Sequence, residues 1–317
     1  MFDVVGCGAL NLDLIYRVED TGFLRRWGMV LGGEVVGDPC RREEFLEDLR
    51  REGRFLGRSG GGSAANTTFA LARMGFKVGF LGCVGKDREG DFLLGSLDGV
   101  DPSGVRRRES SGLCIVVVTP DGERSTVLFP GANDLFRLGG EEVAYASRSR
   151  WVHLTSFVGE EAFRAQVRLV EALPDEVSVS LDPGHLYALK GADALKPLLR
   201  RTKVLFATED EVGLLTGEGF REGTHLLGEI GPEVVVVKRG REGAWMSAGG
   251  EEVDIPAVEV EVRDPTGAGD VLAAGFLAGL LSGWTPRRCL EFGVGVASRS
   301  VEGYGREAYP STEDLGL

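Results

Sequence analysis

Asp264-Pro265-Thr266-Gly267-Ala268-Gly269-Asp270 leads directly into an apolar segment of helical length, residues 271–281. Backbone N–H groups at a helix start lack intrahelical partners and carry the positive end of the dipole, so a Gly-Ala-Gly turn there lets an anion approach the main chain. One interpretation is phosphoryl transfer, in which the amides of residues 267–269 hold the phosphate and Asp270 accepts the proton of the attacking hydroxyl. The alternative is that Asp264 and Asp270 are ordinary helix-capping acids.

Composition and charge exclude several classes of protein. The chain has 317 residues, of which 43% are hydrophobic and 27% are charged, as in an ordinary globular protein. The formal net charge is -13 at pH 7, so the field of the whole molecule repels nucleic acid and anionic membrane surfaces. We therefore expect neither as a partner, and a phosphate ligand must be held by local groups.

The cysteines and the N-terminus indicate a cytoplasmic protein. The cysteines are scattered and form no C-x-x-C pair, so we expect reduced thiols rather than disulfides or a zinc site, at Cys7, Cys40, Cys83, Cys114 and Cys289. Residues 1–5 contain an acid where a secretory signal has basic residues, and no apolar run approaches the roughly eighteen residues that span a bilayer. We expect a cytoplasmic location and no membrane partner.

Apolar runs of strand length alternate with stretches of helical spacing. The strand-like runs lie at residues 3–7, 77–84, 113–118, 151–154, 177–181, 204–207 and 234–238, and the helical stretches at 65–74, 161–172, 209–216 and 268–281. Gly or Pro shortly past each helical stretch is a stop signal. The alternation predicts an α/β fold with a mainly parallel sheet, and the uniformly apolar last stretch predicts a buried helix.

Two regions depart from this alternation. Residues 14–59 contain strand-like pieces at 14–18 and 29–36, then a charged helix from Pro39 to about Arg51. Residues 112–130 contain two strands joined at the turn Pro120-Asp121-Gly122. We interpret these two regions as a β-rich lid over a main α/β domain that comprises residues 1–13, 60–111 and 131–317.

Three further motifs place polar residues beside glycine turns. Residues 4–13 read Val-Val-Gly-Cys-Gly-Ala-Leu-Asn-Leu-Asp, and residues 59–68 read Ser-Gly-Gly-Gly-Ser-Ala-Ala-Asn-Thr-Thr. Thr208-Glu209-Asp210-Glu211 opens a helix, and residues 235–243 form a strand with a glycine loop. The first motif differs from a Rossmann phosphate turn, because Asn11 stands where G-x-G-x-x-G has its third glycine.

Together with residues 264–270, these motifs resemble the ribokinase-like (PfkB-type) family of sugar and nucleoside kinases over nearly the whole chain. The resemblance implies a three-layer α/β/α fold with a mainly parallel central sheet and a small β-rich lid. It also implies an ATP-dependent kinase that transfers the γ-phosphoryl group to a hydroxymethyl group of a small sugar. In such an enzyme Asp270 is the general base, and the amides of Gly267, Ala268 and Gly269 form the anion hole.

The resemblance also assigns substrate and cofactor residues. Acceptor hydroxyls are bound by Asn11, Asp13 and Asn66, and the lid hinge is formed by Gly61 and Gly62. On the cofactor side the resemblance implies ATP contacts by Thr208, Lys238, Gly240, Gly243 and Thr266, Mg²⁺ held by Glu211 through water, and a monovalent cation such as K⁺ at Asp264. Thr208 replaces the family's Asn, and Lys238 replaces its usual Thr. A homodimer formed through lid strands is a further implication.

The motifs leave the acceptor open. Residues 129–133 and the Asn11, Asp13 and Asn66 set favour a sugar, although Thr155 stands where ribokinases have a sugar-binding Glu. Residues 63–67 resemble adenosine-kinase-type relatives, with a purine base covered by Phe23, Trp27, Cys114 and Phe129. A sugar kinase is thus the first expectation, a purine nucleoside kinase the second, and a non-catalytic ligand-binding relative a third. The turn Asp182-Pro183-Gly184 is given no catalytic role, because Gly184 replaces the family's Asn.

Overall fold

A large, mainly parallel sheet organises the chain in the computed structural model, which describes residues 1–316. Its strands run in the spatial order β14-β13-β12-β11-β10-β9-β1-β5-β6. All the strands of the described part are β1 (Phe2–Cys7), β2 (Asn11–Val18), β3 (Glu34–Val36), β4 (Gly53–Gly61), β5 (Val78–Gly85), β6 (Val100–Arg108), β7 (Gly112–Val118), β8 (Arg124–Phe129), β9 (Ser149–Thr155), β10 (Ser178–Asp182), β11 (Thr202–Thr208), β12 (Val234–Lys238), β13 (Ala244–Ala248) and β14 (Glu251–Ile255).

Helices cover both faces of this sheet. They are α1 (Gly22–Arg26), α2 (Arg42–Glu52), α3 (Ser63–Arg73), α4 (Arg88–Gly95), α5 (Gly140–Ala146), α6 (Glu160–Ala172), α7 (Gly184–Ala188), α8 (Gly191–Leu199), α9 (Glu209–Thr216), α10 (Phe220–Ile230), α11 (Ala268–Leu281), α12 (Pro286–Ser300) and α13 (Thr312–Leu315). Short 3₁₀ helices lie at Pro39–Arg41, Gly131–Leu135 and Gly240–Glu242. The three-layer α/β/α class predicted from the sequence is confirmed.

Alternation along the strands explains why both faces carry helices. Successive side chains of a strand point to opposite faces, and in β1 the fully buried Val4 and Val5 belong to two different apolar clusters. The Val4 cluster includes residues of α3, α11 and α12, whereas the Val5 cluster includes residues of α6, α8 and α9. Because strand order reverses at β1, the carboxyl ends of β1 and β9 form the switch point where ligands bind in such sheets.

A second sheet contains five strands in the order β3-β8-β7-β2-β4. We call it the small sheet; it is built from the regions expected to form the lid, and its β7–β8 hairpin confirms the predicted turn at Gly122. The strand predicted at 29–36 is wrong over its first half. Gly33 N–H donates to Val30 O, and Gly32 has φ 70°, so the chain turns there and β3 begins only at Glu34. The division into a main domain and a movable lid stays a prediction.

Helix α11 has the predicted bounds, and ten of its 14 residues are buried. It packs closely on α12, because a Cβ atom at Gly275 would lie 2.7 Å from Val296 Cγ2 and 2.8 Å from Gly293 Cα. Small residues at this crossing let the two backbones approach, which holds the N-terminal end of α11 in a fixed position. Among residues 1–316, no helix has the length and apolar character needed to cross a membrane.

Candidate active site

Asp270 lies in the first turn of α11 and is held by α3. Asn66 Nδ2 donates to Asp270 Oδ2 at 2.8 Å, and Thr67 Oγ1 donates to the main-chain oxygen of Asp270 at 3.1 Å. Helix α3 brings both groups here because it packs directly against α11. The carboxylate is therefore fixed at the helix start, next to the residues predicted to form the anion hole.

The turn before Asp270 leaves main-chain N–H groups available. Gly267 is the N-cap of α11, has φ 81° in the left-handed region, and offers no side-chain cap. A Cβ atom there would clash with Tyr309 Oη, so both the backbone conformation and the packing require glycine. Ala268 N–H makes a long turn hydrogen bond to Pro265 O at 3.3 Å, whereas within residues 1–316 no such bond is made by the N–H groups of Gly267 and Gly269. The uncapped first turn of a 14-residue helix favours an anion at this place.

The pKa of Asp270 suits a general base. The pKa is raised to about 7, mainly by burial and also by the nearby Asp182 charge, while the hydrogen bond from Asn66 and the Lys238 charge lower it in part. Catalytic bases work best when the pKa lies near the operating pH. The arrangement is not that of a helix-capping acid, because the side chain bonds to α3 rather than to its own helix.

Lys238 and Asp182 form a buried ion pair beside this turn. Lys238 Nζ lies 2.6 Å from Asp182 Oδ2, and both side chains are largely buried. Burial alone would lower the pKa of Lys238, but the charges of Asp182 and Glu211 outweigh it and raise the pKa, so the ammonium stays protonated. A Cβ atom at Gly269 would lie 3.2 Å from Lys238 Cδ. The structure thus places Asp182 in the site, although the sequence analysis assigned that turn no role.

Thr208 and Glu211 are linked in a capping box at the start of α9. Thr208 N–H donates to Glu211 Oε2 at 2.8 Å, and Glu211 N–H donates to Thr208 Oγ1 at 3.2 Å. Thr208 is thereby used as a helix cap. Burial raises the pKa of Glu211, and the charge of Lys238 lowers it. Glu211 lies close enough to Lys238 and Asp182 for these charges to act on it, so the three groups form one cluster.

Two of the predicted acceptor residues, Asn11 and Asp13, lie in β2 where it pairs with β4, and the third, Asn66, lies in α3. Asn11 Oδ1 accepts from Asn133 Nδ2 at 2.8 Å, and Asn133 also bonds to both main-chain groups of Leu10. Burial raises the pKa of Asp13 to about 7, with the Arg306 charge lowering it and the Asp270 charge raising it. Because the charges of Arg306 and Asp270 act on it, Asp13 belongs to the same polar region as Asp270.

Gly61 and Gly62 are required by close packing at this place. A Cβ atom at Gly61 would clash with the Asp13 carboxylate, and one at Gly62 would clash with Ala9 O. Gly61 ends strand β4, a strand that the sequence analysis did not predict, and Gly62 has φ 105° at the start of α3. The hinge role of this pair stays a prediction.

Two of the remaining predicted residues, Gly240 and Gly243, differ in the space around them. Gly240 has φ 56° and no atom within 4 Å of its Cβ position, so its loop faces open space. A Cβ atom at Gly243 would clash with Ile255 O, so that glycine is explained by packing against the end of β14. Thr266 donates its N–H to Asp264 Oδ1 at 3.1 Å. Asp264 is buried and lies in the loop that leads to the anion hole.

Arg306 is the main residue that the sequence analysis missed. Its Nε donates to Asn66 Oδ1 at 3.0 Å and its Nη1 donates to Ser96 O at 2.9 Å, while Nη2 is buried without a partner. Asn66 therefore links Arg306 to Asp270 through its two amide atoms. No motif surrounds Arg306, so nothing in the sequence indicates this role. Asp182 could have been found, since it directly follows the strand predicted at 177–181, at the ligand-binding edge of the sheet, where it ends β10.

The four proposed base-covering residues do not form an open surface. Phe23, Trp27 and Phe129 all pack edge-on against Phe45 within the small sheet's core. Cys114 instead lies opposite Asp13 in the pairing of β2 with β7, and burial together with the Asp13 charge raises the pKa of its thiol. A cavity of about 640 Å³ lies elsewhere, among α8, α9 and α10, and is lined by residues such as Lys196, Arg200 and Leu226. The candidate active site around Asp270 is therefore identified by its polar groups and not by this cavity.

The chain is similar to several known proteins in sequence and in fold. The model of the pfkB family carbohydrate kinases matches residues 30–312. An uncharacterized sugar kinase of Archaeoglobus fulgidus is 36% identical over 77% of this chain and 99% of its own length. An ATP-dependent ribose-1-phosphate kinase of Halopiger xanaduensis is 30% identical over 89% of this chain and 94% of its own. The solved adenosine kinase of Sinorhizobium meliloti has a TM-score of 0.85 and 25% identity, covering 99% of this chain and 98% of that one.

The family match covers most of the chain, and the fold, the uncapped helix start and the fixed carboxylate agree with it. The chain therefore belongs to the pfkB family of carbohydrate kinases, phosphotransferases with an alcohol group as acceptor.

Proposed function

We propose that this chain transfers the γ-phosphoryl group of ATP to a hydroxymethyl group of a small sugar, with Asp270 as the general base. The observation that carries the proposal is the Asp270 carboxylate, held by Asn66 at 2.8 Å at the uncapped start of α11. Asp270 accepts the proton of the attacking hydroxyl, and the N–H groups of Gly267, Ala268 and Gly269 hold the charge on the transferred phosphoryl group. The general base and the anion hole therefore lie in the same turn, at the start of α11.

ATP with Mg²⁺ is the cofactor pair of this family. We assign the phosphates of ATP to Lys238, which stands beside Gly269, and we assign Thr266 and the open Gly240 loop to the same ligand. Residues 1–316 hold no ready cluster of three or more His, Cys, Asp or Glu side chains for a metal ion. Mg²⁺ often keeps several waters and binds few protein carboxylates. Glu211, with Asp182 nearby, fits that pattern and would hold the ion mainly through water; the ion would neutralise phosphate charge.

A sugar is the acceptor we favour. Asn11, Asp13 and Asn66 offer amide and carboxylate groups for hydroxyls, whereas the aromatic side chains that would cover a purine are packed into the small sheet's core. The similarity to a solved adenosine kinase keeps a purine nucleoside as the second candidate. The intact Asp270 site disfavours a non-catalytic ligand-binding relative.

A homodimer through the small sheet and a cytoplasmic location complete the proposal. Phe55 and Leu56 of edge strand β4 are 51% and 44% exposed, which gives that edge an apolar surface. Light scattering of the wild type and of Leu56→Asp tests the dimer, which we expect only in the wild type. We do not assign a monovalent cation to Asp264, because its carboxylate already pairs with Arg124 at 2.7 Å.

A coupled ATP-consumption assay tests the function directly. The acceptors are ribose, fructose, ribose 1-phosphate, 2-keto-3-deoxygluconate, adenosine, inosine and cytidine, each also tested by thermal shift, since a ligand stabilises the folded state by RT ln(1 + [L]/Kd). We expect turnover with at least one sugar and a kcat lower by about 10²–10⁴ in Asp270→Asn. Turnover with nucleosides alone would establish the second candidate. Stabilisation without any turnover would establish the non-catalytic alternative.

A further inference from the structure

An arginine of the small sheet contacts the loop that precedes the anion hole. Arg124, the first residue of β8, places Nη1 2.7 Å from Asp264 Oδ1 and 2.9 Å from Thr266 Oγ1. The two partners are 140 residues away from it or more in the sequence. The Asp264 side chain is only 6% exposed, whereas Arg124 is 33% exposed. The contact therefore joins a surface-reaching arginine to a buried acid.

The Asp264 carboxylate also accepts hydrogen bonds from two main-chain N–H groups, one in its own loop and one near the C-terminal end of the chain. Oδ1 also accepts from Thr266 N–H at 3.1 Å, and Oδ2 accepts from Gly305 N–H at 3.2 Å. Burial alone would raise the pKa of Asp264, but the bonds from Arg124, Thr266 and Gly305 outweigh it and lower the pKa. The acid is thus ionised, and Arg124 is the cation that compensates it.

We propose that Arg124 supplies at the Asp264 loop the positive charge that a bound monovalent cation would otherwise supply, so that this kinase does not require K⁺. A guanidinium within hydrogen-bond distance of the carboxylate repels a second cation there and uses Oδ1 as its acceptor. Arg124 is a positioning residue: it acts through Asp264 and Thr266 on residues 267–269. The inference goes beyond the proposed function but rests on it, because residues 267–269 are the anion hole of that proposal.

The contact also couples the small sheet to the anion hole. Arg124 follows the turn at Gly122 in the β7–β8 hairpin, so the guanidinium reaches Asp264 only when this hairpin lies against the main sheet. A cation from solution would order the loop whatever the position of the small sheet. An arginine orders it only in the docked arrangement, which makes the anion hole complete when the small sheet is in place.

The test compares cations at constant ionic strength. Wild type, Arg124→Ala, Arg124→Lys and the control Arg17→Ala, an exposed arginine of β2, are measured in KCl, NaCl and tetramethylammonium chloride. One readout is kcat/KM and the other is Tm, which requires no turnover. For wild type and Arg17→Ala we expect less than twofold differences in kcat/KM and equal Tm values in all three salts. For Arg124→Ala we expect low activity in tetramethylammonium, at least fivefold recovery in KCl, and a Tm rise specific to K⁺. Arg124→Lys keeps the charge and should resemble wild type.

Several outcomes would overturn the inference. If K⁺ activates the wild type several-fold and specifically raises its Tm, the site still binds the ion. Loss of activity in Arg124→Ala that K⁺ does not restore shows that the arginine does not stand in for a cation. If that variant fails to fold, the wild-type salt comparison decides alone. The two proposals can fail separately. If the wild type has no kinase activity but its Tm is the same in all three salts, the proposed function is wrong, whereas the replacement of the cation by Arg124 still holds.

Discussion

Replacing Asn66 with alanine separates a positioning role from a substrate-binding role. In the structure its Nδ2 donates to Asp270 Oδ2 at 2.8 Å, and its Oδ1 accepts from Arg306 Nε at 3.0 Å. Hydrogen bonds to charged groups contribute about 1.5–3 kcal/mol, which corresponds to a loss of about 10–150-fold in kcat/KM if the bond positions the base. The bond also favours the ionised form of Asp270, so its removal raises that pKa above its present value of about 7.

The assay is the pH profile of kcat/KM for the acceptor at saturating ATP and Mg²⁺. A general base must be deprotonated, so activity falls as the pH drops below the pKa, and in Asn66→Ala this acid limb moves to higher pH. Asp13 has a similar pKa, so the profile reports apparent values of the interacting groups. Thr67→Val is the matched control, because Thr67 bonds only to the main-chain oxygen of Asp270. An acid limb that stays in place while the acceptor KM rises would refute the positioning role and leave Asn66 as a hydroxyl ligand.

Three other substitutions give distinct signatures. Lys238→Met leaves the buried Asp182 without its cation, so we expect a lower Tm and a higher KM for ATP. Adding Asp182→Asn should restore Tm, and a normal KM for ATP in this double variant would contradict the phosphate-binding role of Lys238. Asp270→Asn should raise Tm more at pH 8 than at pH 5, because the folded pKa of about 7 lies well above the ordinary pKa of an aspartate, and the stability contributed by the protonated carboxyl is lost as the pH rises through 7. A Tm difference that does not change with pH would argue against the raised pKa. Gly62→Ala should unfold at a clearly lower temperature, since its φ of 105° and the Ala9 carbonyl both exclude a side chain; an unchanged Tm would contradict that packing.

The sequence predicted the six central strands of the main sheet because they are buried, but it missed β6, β13 and β14, which lie at the two ends of that sheet. Strand β12 and helices α9 and α11 have the predicted bounds, since continuous apolar runs and clear stop signals mark them. Strand β4 was missed because its residues are mostly exposed and rich in glycine, so it carries no apolar pattern. Its pairing with β2, a long-range contact, makes it a strand.

The site was predicted only where one segment contains the chemistry. Residues 267–270 lie in a single turn, so their spacing alone indicates an anion hole beside an acid. Arg306 and Arg124 reach their partners across more than 100 residues, and no local pattern encodes such a contact. Lys238 was noted as a departure from the family, but its pairing with Asp182 depends on two neighbouring strand ends that only the folded sheet brings together.

Asp270→Asn tests most directly whether Asp270 takes the proton of the acceptor hydroxyl. Asparagine keeps the shape of the side chain but cannot accept that proton at neutral pH. With fold checked by circular dichroism and ATP affinity by calorimetry, we expect kcat to fall by about 10²–10⁴, the usual contribution of a general base, with ATP binding retained. Turnover close to that of the wild type in a folded, ATP-binding Asp270→Asn protein would contradict the mechanism.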